Sequence, residues 1–293
     1  MIIKQKNTSS LEFHPIKICD SHNDFLTELS LVEIPKYVEK CKKDEVEIIC
    51  ASYWSTEKKE DEIPRDLKTR AKMLSPTRSG YLLHIEDLWW VKDEDKLREL
   101  LKLKPFSCSL TWNYKNALAS GSKAEGGLTE FGKSCVSALT RAGVTIDTAH
   151  LNRQSFYELT KICPKNIYCS HTGFYGVKRH KRNLTDKQID LIVKSNGFIG
   201  LFFFDDCIKA KQGGAFNILD IVENLKYFTS RWGVDNIGIG SDFYGIDRYP
   251  VGLKNYAEFR NLKIELIKAG YTECEVEKIM HKNFLDFLRR VKK

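Results

Sequence analysis

The sequence predicts an α/β fold in which eight parallel strands close into a barrel. Short apolar runs alternate with helix-length amphipathic segments along the whole chain, and eight such runs can be counted. The 293 residues are enough for one barrel of about 250 residues with its loops. We therefore expect a single (β/α)8 TIM-barrel domain over residues 1–293, with residues 1–15 as a lead-in segment.

The first half of the chain contains four of the predicted strands. Their β-forming residues are bounded by charged or turn residues, and they span 16–20, 45–54, 80–85 and 106–111. Apolar residues at helical spacing predict helices at 25–41, 67–73 and 93–103. The charged stretch 57–66 is typical of a solvated loop. The polar stretch 112–127 has the length of a functional loop or lid.

The second half alternates more regularly. Strands are predicted at 143–149, 166–170, 197–204 and 236–241. Helices are predicted at 129–142, from 151 to 162, and at 185–194, 218–232, 256–269 and 272–291. Thr185 and Thr272, each followed by an acidic residue, are suited to cap two of them.

Composition argues against several classes of protein. Hydrophobic residues make up 42% and charged residues 29% of the chain, as in ordinary globular proteins. The net charge of +8 is spread along the chain without a nucleic-acid-binding module, so no nucleic-acid partner is expected. The polar start lacks the apolar run of a signal peptide or membrane anchor, which favours a cytoplasmic protein. Nine cysteines without a Cys-x-x-Cys pair suggest buried thiols rather than disulfides.

Imidazoles and carboxylates follow several of the predicted strands. These residues are His22, Asp24, Glu86, His150 and His171. Because the carboxyl ends of all strands in such a barrel meet at one mouth, we expect these side chains to lie together. Three imidazoles and two carboxylates suit zinc or a similar divalent ion, and suffice for two ions if one carboxylate bridges. The sequence therefore predicts a metal site at the mouth of the barrel.

Two further residues are candidates at the same mouth. Asp242 follows the eighth strand, where a carboxylate facing an activated water would act as general base. Arg182 lies in the loop after His171 and could bind a substrate carboxylate through two hydrogen bonds, or could be an exposed surface arginine. His84, two residues before Glu86, could orient that carboxylate or be a buried, hydrogen-bonded histidine.

Several motifs, in order from about residue 16 to 290, resemble those of the membrane (renal) dipeptidase family. They are Asp20-Ser21-His22-Asn23-Asp24, Leu110-Thr111-Trp112-Asn113, Asp147-Thr148-Ala149-His150, Ser170-His171, Arg182-Asn183-Leu184-Thr185-Asp186, Gly240-Ser241-Asp242-Phe243 and Asn283-Phe284-Leu285. The collinear order makes the resemblance specific.

The resemblance implies a zinc-dependent peptidase of dipeptides. In this reading His22 and Asp24 bind one zinc ion, His150 and His171 bind a second, and Glu86 bridges the two. A metal-bridging hydroxide would attack the peptide carbonyl. Asp242 would transfer its proton to the leaving amine and Arg182 would bind the terminal carboxylate. Members of the family often accept a D-residue at the C-terminal position and are frequently dimers.

Three departures from the family pattern involve four residues. Asp87 and Leu88 follow Glu86 where two glycines are common, and Tyr244 stands where a second aspartate is usual. Trp112 replaces the substrate-binding histidine of some members, so we expect it to pack on the substrate and to change its selection.

The expected function is hydrolysis of free dipeptides by a two-zinc enzyme that could be a homodimer. One alternative is a binuclear hydrolase of the same fold that acts on another amide, a lactone or a specialised-metabolite conjugate. Another is an inactive barrel that serves as a binding protein.

Overall fold

Eight parallel strands close into a barrel in sequence order, β1 to β8, as the sequence predicts. The computed structural model describes residues 17–54, 58–74, 80–209 and 213–291, so the predicted lead-in at 1–15 lies outside the described residues. The strands are β1 (Ile18–Asn23), β2 (Val46–Trp54), β3 (Tyr81–Glu86), β4 (Ser107–Ser109), β5 (Thr145–Asp147), β6 (Tyr168–Thr172), β7 (Phe198–Leu201) and β8 (Ile237–Ile239).

Helices connect the strands and surround the barrel. They are α1 (Phe25–Glu28), α2 (Glu33–Lys43), α3 (Ile63–Leu74), α4 (Glu94–Lys102), α5 (Glu130–Arg141), α6 (Arg153–Ile162), α7 (Asp186–Lys194), α8 (Asp205–Ile208), α9 (Ile218–Trp232), α10 (Phe259–Lys268), α11 (Glu273–Glu277) and α12 (Asn283–Val291). Short 3₁₀ turns at Glu60–Glu62 and Tyr256–Glu258 precede α3 and α10, and a π-helical turn, Lys278–Lys282, joins α11 to α12. Thr185 and Thr272 both form capping boxes, as expected.

Two predicted elements in the first half of the chain differ from the structure. The helix predicted over 25–41 is two helices, because the Ser30 N–H and hydroxyl both donate to the Glu33 carboxylate and start a second helix. The loop predicted at 57–66 is wrong in its second half. There α3 begins at Ile63, since Pro64 is tolerated in a first helical turn.

The seventh strand is shorter than predicted. It ends at Leu201, after which the Phe202 N–H donates to the Thr172 carbonyl and the Phe203 N–H to the Ser241 carbonyl. The chain thus divides its hydrogen bonds between both neighbours and turns into α8, which the sequence did not predict.

Helix α12 closes the bottom of the barrel, opposite the predicted site. Its Phe284, Phe287 and Leu288 pack with residues from the starts of the strands, among them Tyr168 and Phe198. Cys19, Cys50, Cys108 and Cys169 are all buried, as predicted. Over the described ranges, none of the helices has the length and apolar character needed to cross a bilayer.

Candidate metal centre

The five predicted ligands lie together at the carboxyl ends of the strands. His22 and His171 are near the ends of β1 and β6, and Glu86 is the last residue of β3. Asp24 directly follows β1, and His150 lies three residues beyond β5. All five side chains are buried, at most 6% of each residue being exposed.

Glu86 stands between two groups of side chains. Its Oε2 atom lies 3.5 Å from Nε2 of His22. Its Oε1 atom lies 2.7 Å from Nε2 of His150 and 3.8 Å from Nε2 of His171. One carboxylate therefore faces a different imidazole group with each oxygen, which is the arrangement that a bridging ligand requires.

The group on the Oε2 side includes two more carboxylates. Nε2 of His22 lies 3.2 Å from Oδ2 of Asp24 and 3.8 Å from Oδ1 of Asp242. Asp242 adopts a left-handed backbone conformation with φ of 63°, as does His150 with φ of 66°. Such conformations cost of order 1 kcal/mol or more outside glycine and concentrate at functional sites.

A buried aspartate in the middle of β1 positions the first group. The Asp20 carboxylate accepts hydrogen bonds from the N–H groups of Ser241 (2.8 Å) and His22 (3.2 Å) and from the Tyr256 hydroxyl (2.6 Å). It thereby joins the end of β1 to the segment after β8, which brings Asp242 to His22.

The buried carboxylate of Asp147 likewise positions the second group, His150 and His171. Its Oδ1 atom accepts from the N–H groups of Ala149 and Ser170, both at 2.9 Å, and its Oδ2 atom accepts from the Ser170 hydroxyl. The end of β5 is thus joined to β6, so that His150 and His171 face each other with their Nε2 atoms 2.9 Å apart.

The other ring nitrogen of each of these histidines is held by a neighbour. Nδ1 of His150 lies 3.1 Å from Oδ1 of Asn113, an acceptor, and Nδ1 of His171 lies 2.8 Å from Oγ of Ser170, which itself donates to Asp147. Both Nδ1 atoms must therefore carry the proton, which leaves both Nε2 lone pairs free for a metal. Sequence reasoning missed the roles of Asn113 and Ser170, although both stand beside predicted site residues.

The protonation states of His150, His171 and Glu86 agree with this arrangement. Burial, followed by the charge of Arg182, lowers the pKa of His150 to about 4. Burial and the charges of His22 and Arg182 hold the pKa of His171 well below its ordinary value. Burial raises the pKa of Glu86, but the facing imidazoles lower it further, so this carboxylate is ionised at neutral pH. Neutral His150 and His171 and an ionised Glu86 are the forms that bind metal. Burial lowers the pKa of His22, but the carboxylates of Asp24 and Glu86 outweigh it and raise that pKa well above its ordinary value, so His22 must release a proton when it binds a metal.

These residues fit a divalent metal. Oδ1 of Asp24 and Oε1 of Glu86 are buried and accept no hydrogen bond, although buried carboxylate oxygens are normally satisfied. Two unprotonated Nε2 atoms at 2.9 Å also repel unless a positive charge lies near them.

His84 is not hydrogen-bonded to Glu86. It lies beneath the site, with Nδ1 2.8 Å from Oγ of Ser107.

The site opens into a cavity of about 530 Å³ at the mouth. Arg182 and Asp242 both line it, as the sequence predicts, and the Arg182 guanidinium donates to the His171 carbonyl at 3.3 Å. Burial raises the pKa of Asp242 well above that of an ordinary aspartate. Trp112 also lines the cavity, with its ring 5.3 Å from that of Trp54 and 5.8 Å from that of Tyr114.

The departures from the family pattern find local explanations. Asp87 takes a left-handed conformation, φ of 60°, which glycine adopts readily. Its N–H donates to Oγ of Ser109 at 3.1 Å, and its carboxylate accepts from Asn116 at 3.1 Å. Tyr244 lines the cavity and packs against the ring of Tyr37 rather than supplying a carboxylate.

A closed parallel barrel that gathers imidazoles and carboxylates at its mouth is the architecture of metal-dependent barrel hydrolases. Residues 75–293 match the membrane dipeptidase family, peptidase family M19. The chain belongs to this family, as the motifs predicted.

Solved structures share the fold at low sequence identity. One is a Rhodobacter sphaeroides metallopeptidase bound to a phosphinate mimic of L-Ala-D-Ala (19% identity, 95% of this chain and 100% of that chain covered, TM-score 0.82). The metallopeptidase named dipeptidase AC, of family M19, has 20% identity, 95% and 99% coverage and a TM-score of 0.84. The probable dipeptidase PvdM from Pseudomonas aeruginosa has 18% identity, 94% and 96% coverage and a TM-score of 0.78.

Proposed function

We propose that the protein is a two-metal dipeptidase that hydrolyses the peptide bond of free dipeptides, including those with a D-residue at the C-terminal position. The observation that carries this proposal is Glu86, whose two oxygens face separate imidazole groups. Family membership supports the same reaction class, since M19 enzymes are named as dipeptidases.

The residues that would bind the metals form two pairs, one on each side of the Glu86 carboxylate. His22 and Asp24 would bind one ion, His150 and His171 the other, and Glu86 both, with zinc suited to the mixture of nitrogen and oxygen donors. When bound, the ions would polarise the scissile carbonyl and acidify a water molecule.

Asp242 is placed to move the proton. Its Oδ1 atom, 3.8 Å from Nε2 of His22, would accept a proton from the attacking water and return it to the leaving amine. Asp242 would also attract the free amino end of the substrate.

Arg182 would bind the terminal carboxylate from the cavity wall. A cation that binds the carboxylate and an acid that binds the amino end together limit the substrate to two residues. Trp112 would pack against the substrate and donate a hydrogen bond through its indole N–H alone.

A second function is favoured by the rings of Trp54 and Trp112, which line the cavity with their centres 5.3 Å apart. The same centre could hydrolyse a bulkier amide, lactone or metabolite conjugate that packs on these rings. The third alternative, an inactive binding protein, has less support because the five ligand positions and Asp242 are all filled. The single-domain organisation, the cytoplasmic location and the homodimer stay predictions.

Hydrolysis assays with zinc-loaded protein test the proposal. The panel consists of L-L and L-D dipeptides, dipeptides blocked at either end, and a tripeptide, with Glu86→Gln as the inactive control. We expect cleavage of free dipeptides alone and its loss in the control. No cleavage by protein that still binds two metal ions would overturn the dipeptidase and favour the second function.

A further inference from the structure

Two cations line the catalytic cavity without a carboxylate partner among the described residues. The Arg182 guanidinium contacts the His171 carbonyl and lies 5.6 Å from the centre of the Phe202 ring. The Lys123 ammonium lies 5.7 Å from the centre of the Tyr114 ring. Within the part of the chain that the structure describes, neither group forms an ion pair, so both are available to an anionic ligand.

The chain holds Lys123 close to the metal centre. The Lys123 N–H donates to the Asn113 carbonyl at 2.8 Å, and the neighbouring Ser122 N–H donates to the His150 carbonyl at 2.8 Å. The backbone that carries the lysine is therefore bonded to a predicted metal ligand and to the residue that orients it. Lys123 itself is exposed to solvent, whereas Ser122 and Asn113 are buried.

The charges of Lys123 and Arg182 both reach His180, which also lines the cavity. Burial is the largest cause that lowers the pKa of the His180 imidazole, and the charges of Arg182 and Lys123 lower it further. Asp206 acts on His180 in the opposite sense, and it lies 3.5 Å from the Arg248 guanidinium, which contacts Asp205 more closely at 2.8 Å. Around His180, the positive charges of Arg182, Lys123 and Lys178 therefore outnumber the negative charge of Asp206.

Carboxylates also line the cavity. Asp24, Asp242 and Asp247 are among them, and they suit the free amino end of a dipeptide. An ordinary dipeptide presents one carboxylate, which Arg182 can bind alone. A second unpaired cation near the first is complementary to a second carboxylate on the same end of the substrate.

We propose that the preferred substrates are dipeptides whose C-terminal residue is aspartate or glutamate. Arg182 and Lys123 together bind its two carboxylates. This inference rests on the proposed dipeptidase function and specifies its substrate class.

The test compares near-isosteric substrates with the zinc-loaded full chain. We expect kcat/KM for Ala-Asp to exceed that for Ala-Asn, and Ala-Glu to exceed Ala-Gln, by about tenfold or more, each pair being assayed with L- and D-residues at the second position. Lys123→Met should abolish this preference by lowering kcat/KM for Ala-Asp far more than for Ala-Asn, because it removes a charge-assisted contact to the side chain. Lys115→Met, in the same loop but outside the cavity wall, is the matched control and should keep the preference.

Reversing the charge at position 123 gives a second, stronger test. In Lys123→Glu, kcat/KM for Ala-Lys should exceed kcat/KM for Ala-Asp. Equal kcat/KM for Ala-Asp and Ala-Asn in the wild type, or a preference unchanged in both Lys123 variants, would overturn the inference but leave the dipeptidase intact. Failure to cleave any dipeptide would remove the proposed function and the inference with it.

Discussion

At the scale of single residues, Glu86 determines what the site can do. The residue types after the strands were enough to predict that it would meet three histidines, because parallel strands share one mouth. The partners of the histidine Nδ1 atoms could not be predicted, since Asn113 and Ser170 reach those atoms only through the folded geometry.

Asn113 provides the first test at this scale. Asn113→Ala removes the acceptor 3.1 Å from Nδ1 of His150, so we expect affinity for one metal ion to fall about tenfold to a hundredfold. Competition with a chromophoric chelator measures it. Ser122→Ala, which removes only a hydrogen bond to Asn113, should have a smaller effect, and equal affinity in all three proteins would contradict the assignment.

Gly245 provides the second test. A Cβ atom at this position would lie 2.3 Å from Oδ2 of Asp24 and 2.5 Å from Oδ1 of Asp242, so both carboxylates would have to move. We expect Gly245→Ala to retain the barrel by circular dichroism but to lose at least about 90% of activity, because misplacement by about 1 Å can cost a hundredfold. Activity near that of the wild type would show that these carboxylates do not need their present positions.

At the scale of elements, long strands and amphipathic helices followed the sequence pattern closely. Predictions failed where hydrogen bonds redirect the chain, at Ser30 between α1 and α2 and at Phe202 after β7, and where α3 begins earlier than predicted, at Ile63. The β-forming run of phenylalanines gives no sign that the ladder ends at Leu201. Buried aspartates, by contrast, join neighbouring strand ends and so place the ligands.

Asp147→Ala tests this joining of elements. The substitution leaves two backbone N–H groups and the Ser170 hydroxyl without their acceptor in a buried region, so we expect the free energy of unfolding to fall by about 3 kcal/mol or more. Urea denaturation measures the change. Asp95→Ala, at an exposed ion pair with Arg98, should leave the midpoint unaltered, and equal midpoints in both variants would refute the role.

At the scale of the whole molecule, eight strand-like runs predicted the barrel because their number and spacing left one compact arrangement. The cavity was harder to foresee, since Lys123, Trp54 and Tyr244 reach it from separate loops and strands.

Metal removal tests the molecule as a unit. A site saturated at a hundredfold above its Kd stabilises the fold by about 2.7 kcal/mol, so two sites should raise the Tm by about 5 °C or more over chelator-treated protein. Scanning calorimetry with and without zinc measures the shift. His150→Ala should show a smaller shift, whereas a Tm that does not respond to zinc would argue against a metal centre.

The central claim is that two ions share the Glu86 carboxylate. Anomalous X-ray diffraction from zinc-loaded crystals tests it most directly. We predict two peaks, one beside each oxygen of Glu86, with His22 and Asp24 at the first and His150 and His171 at the second. A lone peak, or peaks that Glu86 does not touch, would contradict the account.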